Sequence, residues 1–296
     1  MKKLLLSVFS LLISNCLFSQ NIQPPSWNKT IKKEVPEYTM KSFDINRLIE
    51  EDKKNDLNKS IPWRFGFEHH VDHNLANSGE WSTLPNGDRV WRIKYYSPGA
   101  HTLNFMFFDF QMPKGGKVYV YNENKTDLLR PFTTANNNPE RILGTWLVKG
   151  EKAIIEYYEP AAVAGQGRLE ISQVVHGYRT AETYKATRAL NSSGDCNVDV
   201  NCNIGAANDI KENVQKSAGM LVSGGSGFCS GALINNTNND GTPYFLTANH
   251  CVGGGSVAGW AFRFNWASSA VDADCATTAP SIDSACLLYT SPSPRD

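Results

Sequence analysis

The chain has 296 residues, of which 41% are apolar and 20% charged, and its formal net charge is zero. This composition is typical of a globular protein, and the length is sufficient for about two domains. Because the net charge is zero, no electrostatic signal favours binding to nucleic acid or to an acidic membrane surface, and no nucleic-acid partner is expected.

Residues 1–20 have the pattern of a secretory signal peptide. Two lysines precede an apolar run from Leu4 to Leu17, and a polar stretch follows Gln20. The run is short for a transmembrane helix and no charged stop follows it. Asn15 is not the small residue that a lipoprotein site needs before Cys16. We therefore expect a secreted protein without a membrane anchor, in a compartment where disulfides can form.

Residues 21–60 form a polar leader, in which Ser42 to Leu57 are predicted to carry a short helix.

From residue 61 to residue 180 the pattern changes to short apolar and aromatic runs between Gly, Pro and Asn clusters. Such spacing, without long helical windows, predicts an antiparallel β-sandwich. The predicted strands are Asp88–Tyr96, Thr102–Phe110, Lys117–Tyr121, Ile142–Val148, Ala153–Tyr158 and Arg168–Val175.

The stretch from Glu68 to His73 contains three histidines and two carboxylates. In a strand His69 and His73 would share one face and His70 the other, so the set does not converge on a metal ion. We interpret it as a polar turn with solvated histidines, and we assign no metal site. His101 and His176 are interpreted as ordinary surface or satisfied residues. A carbohydrate-binding face formed by Trp81, Trp91 and Tyr95 is an alternative use of the sandwich.

The stretch from Gly227 to Cys251, GFCSGALINNTNNDGTPYFLTANHC, has the spacing most indicative of chemistry. Phe228–Ile234 and Tyr244–Ala248 read as two strands, and the Asn-, Thr- and Gly-rich stretch between them reads as a turn, which predicts a hairpin. Paired strands would bring Cys229 close enough to Cys251 for a disulfide, and His250 would then be held at a strand end. A purely structural hairpin with an exposed histidine is the alternative.

This stretch resembles the trypsin/chymotrypsin-like serine proteases, and within them the secreted bacterial lysyl endopeptidases. The resemblance covers roughly Asn191 to Cys275. It implies that His250 is the general base, that proteins or peptides are the substrates and that no cofactor is needed. It further implies the disulfides Cys229–Cys251 and Cys202–Cys275, which leaves Cys196 without a partner. More weakly, residues 61–180 resemble the β-sandwich pro-regions and accessory domains of secreted bacterial peptidases.

Residues 181–194 are a polar linker between the sandwich and the protease-like segment, residues 195–285. Its basic residues Lys185 and Arg188 are candidate processing sites, because a trypsin-like or lysine-specific enzyme cuts at such residues. We expect the pro-region to end at about Arg188.

The last residues, 286–296, read CLLYTSPSPRD and correspond residue for residue to the translation of a transposase sequencing adapter. We therefore expect the natural sequence to diverge after about residue 285.

The catalytic acid and a Gly-Asp-Ser-Gly-Gly-like nucleophile loop are not found before that point. Asp272, Asp274 and Asp283 follow His250 too closely to be the acid. Ser226 precedes the histidine in a glycine-rich turn, and Ser230 lies within a predicted strand, so neither is assigned as the nucleophile.

The resulting prediction is an all-β protein: a β-sandwich pro-region followed by the N-terminal half of a chymotrypsin-like double β-barrel. A short helical turn is expected between Asp209 and the strand Ala218–Val222, and a further strand at Gly259–Trp266. The function predicted for the parent is a secreted serine endopeptidase, with this fragment inactive because it lacks the nucleophile. The alternative is a secreted non-catalytic binding protein, either a pseudoprotease or a β-sandwich adhesin.

Overall fold

The structure, a computed structural model, describes residues 23–28, 31, 33–58, 61–179, 208–252 and 256–264. Strands dominate these residues and form three sheets of five strands each. The described α-helices are short: α1 (Ile45–Asn55), α2 (Asn208–Ser217) and α3 (Asn249–Val252). The prediction of an all-β fold is confirmed.

The first two sheets come from the N-terminal part of the chain. The first contains β1 (Glu37–Thr39), β4 (Glu80–Thr83), β5 (Arg89–Tyr96), β7 (Lys117–Asn122) and β10 (Lys152–Glu159), in the order β1-β5-β10-β7 with β4 also paired to β5. The second contains β3 (Gly66–Asn74), β6 (Thr102–Gln111), β8 (Leu143–Gly144), β9 (Val148–Lys149) and β11 (Arg168–Gly177), in the order β3-β11-β6-β8 with β9 also paired to β6.

These two sheets share one hydrophobic core. The core combines Trp91, Ile93 and Ile155 of the first sheet with Phe105 and Ile171 of the second. The pairs described between these strands are antiparallel, except for β1, which lies parallel to β5. Residues 61–179 therefore contain the predicted β-sandwich, with the apolar faces of both sheets turned toward each other.

The leader contains the predicted helix and one strand that the sequence did not indicate. Asp44 caps α1 by accepting a hydrogen bond from the backbone N–H of Arg47 (3.0 Å), which satisfies one of the free donors at the helix start. Strand β1 extends the first sheet by pairing with Lys94–Tyr96. Earlier still, the backbone N–H of Ser26 donates to Glu156 (3.0 Å), a carboxylate buried on β10.

Two secondary-structure predictions for the N-terminal part are wrong. The stretch Glu68–His73 is not a turn but lies within β3, where His69 and His73 are half-buried and His70 is exposed. The polar composition of this stretch suggested a turn, but backbone pairing with β11 holds it in a strand. The predicted strand Ile142–Val148 is interrupted and yields only the two-residue strands β8 and β9.

The proposed carbohydrate-binding face is also not formed. Trp91 and Tyr95 are completely buried, and Trp91 donates its indole N–H to the carbonyl of Ser78 at 2.7 Å. These rings belong to the core of the sandwich, where no polysaccharide can contact them.

The third sheet comes mainly from the C-terminal part of the chain. It contains β2 (Trp63–Arg64), β12 (Ala218–Ser223), β13 (Ser226–Ile234), β14 (Tyr244–Thr247) and β15 (Ala261–Phe264), in the order β14-β13-β12-β15 with β2 also paired to β13. The sheet does not close into a barrel within the described ranges, but an open antiparallel sheet is consistent with part of a chymotrypsin-like fold. Residues 265–266 of the predicted strand Gly259–Trp266 lie outside these ranges. None of the described helices has the length and apolar character needed to cross a bilayer.

Candidate active site

The candidate site is built on the hairpin of β13 and β14, as predicted. Its register pairs Gly231 with Thr247 and Ile234 with Tyr244. The loop between the strands is held by its own polar side chains: Asp240 accepts from the backbone N–H of Thr242 (2.9 Å) and from the side-chain amide of Asn236 (2.8 Å). Asn and Asp side chains favour such local hydrogen bonds, so the composition of this loop favours a turn.

A glycine is required in β13 where the two strands approach closely. A Cβ atom at Gly231 would collide with the carbonyl oxygen of Leu246 and the ring of Phe245. The glycine two residues after Cys229 thus has a physical reason, because the absence of a side chain at Gly231 leaves space for the Phe245 ring. That ring packs edge-on against Phe262, with ring centroids 4.9 Å apart.

The turn that carries His250 follows directly from β14. Helix α3 begins at Asn249, and the backbone N–H of Cys251 donates to the carbonyl of Ala248 (2.9 Å). On the strand side, the Thr247 hydroxyl donates to the carbonyl of Ser230 (2.8 Å). The chain thereby leaves the sheet in a single tight turn, and the His250 side chain is exposed to solvent.

A disulfide joins Cys229 of β13 to Cys251 of α3, with their Cα atoms 6.1 Å apart. It closes a loop with a sequence separation of 22 and fixes both ends of the hairpin next to His250. The two half-buried cysteines pack against a small apolar cluster, which contains Leu221, Trp260, Phe262 and Phe264. This disulfide was predicted from the sequence, and the structure contains it.

Within the described ranges, one group of potential metal ligands lies close together: donor atoms of Cys229, His250 and Cys251 are within 4.8 Å of one another. The two sulfur atoms are bonded to each other, so they do not act as thiolate ligands. The arrangement therefore places a histidine next to a disulfide, and the imidazole is the one member of the group that could still bind a metal ion.

The remaining predicted site residues lie outside the described ranges. These are Lys185, Arg188, Cys196, Cys202 and Cys275, together with the rejected candidates Asp272, Asp274 and Asp283. The two rejected serines are described: Ser230 is exposed on β13, and Ser226 opens that strand directly after the turn that follows β12.

Sequence reasoning missed one contact to the sheet that carries the site. Glu68 was grouped with the histidines, but its carboxylate accepts a hydrogen bond from the backbone N–H of Gly225 (2.9 Å), in the turn between β12 and β13. No local pattern signals this contact, because its partners are separated by 157 residues.

Comparison with known proteins agrees with the motif. The family model for the C-terminal domain of lysyl endopeptidase matches residues 190–292. A lysyl endopeptidase of Pseudomonas aeruginosa is 30% identical over 194 residues, which cover 58% of this chain and 39% of that protein. The aligned part thus spans about two fifths of the length of this relative. No solved structure matches the chain.

The alignment with the Pseudomonas protein also reaches upstream of the family match. An aligned share of 58% of the chain exceeds the residues from 190 to the end, so part of the similarity lies in the N-terminal region. Over the segment that carries His250 and the Cys229–Cys251 disulfide, this chain is similar to the C-terminal domain of lysyl endopeptidase, in agreement with its sequence motif.

Proposed function

We propose that the parent of this chain is a secreted serine endopeptidase that is directed to lysine, with His250 as its general base. The observation that carries the proposal is the position of His250: it is exposed in the first turn after β14 and held there by the Cys229–Cys251 disulfide. A general base must reach its proton donor in a defined orientation, and the disulfide supports this role because it restricts the backbone of the turn that carries His250.

The chemistry follows from the residue type. A neutral imidazole takes the proton of a serine hydroxyl as the hydroxyl attacks the scissile carbonyl, and it then returns that proton to the leaving amine. We propose that the serine and the acid partner of His250 are encoded beyond residue 285. Because a base without a nucleophile or an oxyanion hole activates nothing, we expect the 296-residue chain to be inactive.

The similarity to lysyl endopeptidases supports the finer parts of the proposal. Lysine preference, secretion through residues 1–20 and removal of the N-terminal domain at Lys185 or Arg188 are each inferred from it and from the sequence pattern. We propose that the substrates are proteins or peptides and that the reaction uses no cofactor.

The test is to recover the gene beyond codon 285 from source DNA, express the complete protein and measure hydrolysis of matched lysyl, arginyl and phenylalanyl peptide substrates. The expected result is cleavage after lysine and inactivation by a serine-directed sulfonyl fluoride. His250→Ala should lower kcat by a factor on the order of 10⁴ to 10⁶. His70→Ala, an exposed histidine of the sandwich, is the matched control and should leave kcat unchanged.

Two results would contradict the proposal. A complete sequence that lacks the serine or the acid would make the protein a non-catalytic binder. Full activity of the His250→Ala variant would remove the general base from the mechanism.

A further inference from the structure

Three potential metal ligands lie together at the end of the β13–β14 hairpin, although two of them are bonded to each other. Donor atoms of Cys229, His250 and Cys251 all lie within 4.8 Å of one another. While the disulfide is intact, the imidazole is the one available ligand, because metals bind the thiolate form of cysteine. Reduction of this single bond would therefore raise the number of ligands from one to three.

The spacing of these donors suits a small tetrahedral ion. Zinc binds thiolate sulfur at about 2.3 Å and imidazole nitrogen at about 2.0 Å, so the donors of a tetrahedral site lie roughly 3.5 to 3.8 Å apart. Donors that already lie within 4.8 Å of one another need little movement to reach this spacing. The two sulfur atoms, once released from their bond, separate by rotation of their own side chains.

The backbone holds the three residues together without the help of the disulfide. Cys229 belongs to β13, which pairs with β12 on one side and, along Gly231–Ile234, with β14. His250 and Cys251 follow in the turn after β14, where the backbone N–H of Cys251 donates to the carbonyl of Ala248 (2.9 Å). Because none of these hydrogen bonds involves sulfur, we expect the three side chains to remain neighbours after reduction.

The surroundings of this group favour zinc over magnesium or calcium. Among the residues that the structure describes, the group contains no carboxylate, the ligand that magnesium and calcium prefer. The cysteines are half-buried against the apolar cluster that contains Trp260 and Phe262. His250 is exposed, so a hydrated ion can reach the imidazole from solvent.

We propose that Cys229, His250 and Cys251 bind a zinc ion in the reduced chain, and that formation of the disulfide abolishes this site. A dithiol supplies the two electrons and two protons that convert the disulfide into two thiols, while its own sulfurs close into a disulfide. The ion then displaces both thiol protons and binds two thiolates and one imidazole nitrogen, which leaves the fourth tetrahedral position for water.

The consequence for catalysis rests on the proposed function of His250. In a neutral imidazole one ring nitrogen carries a proton and the other has the lone pair that accepts one. A bound ion occupies that lone pair, so the imidazole can no longer take a proton from serine. The zinc-bound, reduced form of the complete protein would therefore be inactive, and disulfide formation after export would release the general base.

The test uses residues 21–296 without a histidine tag, in a variant whose remaining thiols are those of Cys229 and Cys251. The substitutions are Cys196→Ser, Cys202→Ser, Cys275→Ser and Cys286→Ser. This protein is reduced with a dithiol, separated from it under nitrogen and titrated with Co²⁺, a spectroscopic substitute for zinc. The expected result is thiolate-to-cobalt charge-transfer absorption together with the visible bands of tetrahedral cobalt, and added zinc should abolish both.

The oxidised protein tests the dependence on the disulfide and should show no charge-transfer band. His250→Ala tests the third ligand. Loss of an outer-shell partner alone lowers metal affinity about 10- to 100-fold, so loss of the imidazole should raise the dissociation constant for Co²⁺ by at least about 10-fold. His70→Ala, at an exposed position on β3, is the matched control and should leave this constant unchanged. Circular dichroism shows whether each protein retains its strands.

Equal cobalt affinity of the reduced protein and its His250→Ala variant would overturn the inference, whether or not the reduced sheet stays folded. A reduced protein without a charge-transfer band would overturn it as well. Neither result depends on the proposed function, because cobalt binding is measured without a substrate, and an inactive complete enzyme would leave the metal site standing.

The effect on catalysis is measured with the complete protein. Zinc should abolish hydrolysis by the reduced enzyme, a chelator should restore it, and the oxidised enzyme should keep its activity at the same zinc concentration. Equal inhibition of the oxidised and reduced enzymes would show that the disulfide does not control metal binding to His250.

Discussion

The carboxylate of Asp52 on α1 lies 3.3 Å from the guanidinium of Arg179, at the end of the N-terminal domain. Both residues are buried, and the same carboxylate accepts from Arg64 Nε (2.9 Å) and from the Tyr178 hydroxyl (2.6 Å). One leader carboxylate therefore connects α1, strand β2 and the last residues before the linker. Through Arg64 it also stabilises the strand that pairs with the β13 edge.

We expect Asp52→Ala to lower the free energy of unfolding by about 3 kcal/mol, because it leaves buried Arg179 with fewer compensating charges. Glu51→Ala is the matched control, since Glu51 also contacts Arg64 (3.1 Å) but from a side chain that is 46% exposed. Its expected cost is about 0.5 kcal/mol. Urea unfolding of both variants measures the difference. Equal losses of unfolding free energy would show that the buried Asp52–Arg179 pair contributes no more than the exposed contact of Glu51.

We expect proteolysis of the folded chain after Lys185 or Arg188 but not after Arg179. The guanidinium of Arg179 is held by Asp56 (2.5 Å), and its backbone N–H donates to the carbonyl of Phe65 (3.1 Å). A protease needs an extended and accessible segment, which this anchored residue does not offer. Limited digestion with trypsin followed by mass spectrometry locates the cut. In Asp52→Ala, a new cut after Arg179 should appear, and early cleavage there in the wild type would contradict the prediction.

We expect the N-terminal domain to lose stability as the pH falls from about 6.5 to about 4. Burial, and then the nearby His69 and His101, lower the pKa of His176 to about 4. The unfolded chain binds a proton near pH 6.5, but the folded chain does not, so stability is complete above that pH and declines below it. The pKa of His69 is also lowered by burial, and it acts in the same direction.

Urea unfolding between pH 7 and pH 4 measures this effect, and the contribution of His176 should be about 3 kcal/mol. His176→Gln should flatten the pH dependence, because glutamine does not titrate but can still bond the Ser97 hydroxyl, which lies 2.7 Å from His176 Nδ1. His70→Gln, at an exposed position on β3, should leave the slope unchanged. A slope that persists in His176→Gln would assign the effect to other groups.

We expect the pair Cys229→Ala and Cys251→Ala to lower the stability of the C-terminal sheet by about 3 kcal/mol, the loop-closure value for a separation of 22. The measurement is urea unfolding monitored by tryptophan fluorescence, with and without reductant. Reductant should break this disulfide in the wild-type protein and remove its contribution to stability. The double variant should lack that contribution already without reductant. Equal stability of the oxidised wild type and the variant would show that the disulfide does not stabilise the sheet.

Features that depend on neighbouring residues could be predicted from the sequence. The β13–β14 hairpin follows from two apolar runs around a loop rich in Asn, Thr and Gly, and α1 lies within the short helix predicted for Ser42–Leu57. The disulfide Cys229–Cys251 could be predicted because the two cysteines flank the hairpin, and pairing of its strands brings them close together.

Features that depend on distant partners could not be predicted. The polar residues of β3 form a strand only because β11 pairs with them, and the half-buried His69 is adjacent to His176 for the same reason. Likewise, nothing in the local pattern of Trp63 and Arg64 indicates that they pair with Gly227 and Ser226.

The sequence by itself therefore determined the strand periodicity, the hairpin, the Cys229–Cys251 bond and the histidine beside it, since each follows from side-chain spacing along the chain. Only the tertiary structure decided which sheet edges meet and which buried polar groups pair, as Glu68 does with Gly225 and Asp52 with Arg179. The physical reason is that burying a polar group is tolerated only where a partner satisfies its hydrogen bonds, and the packing of distant segments chooses that partner.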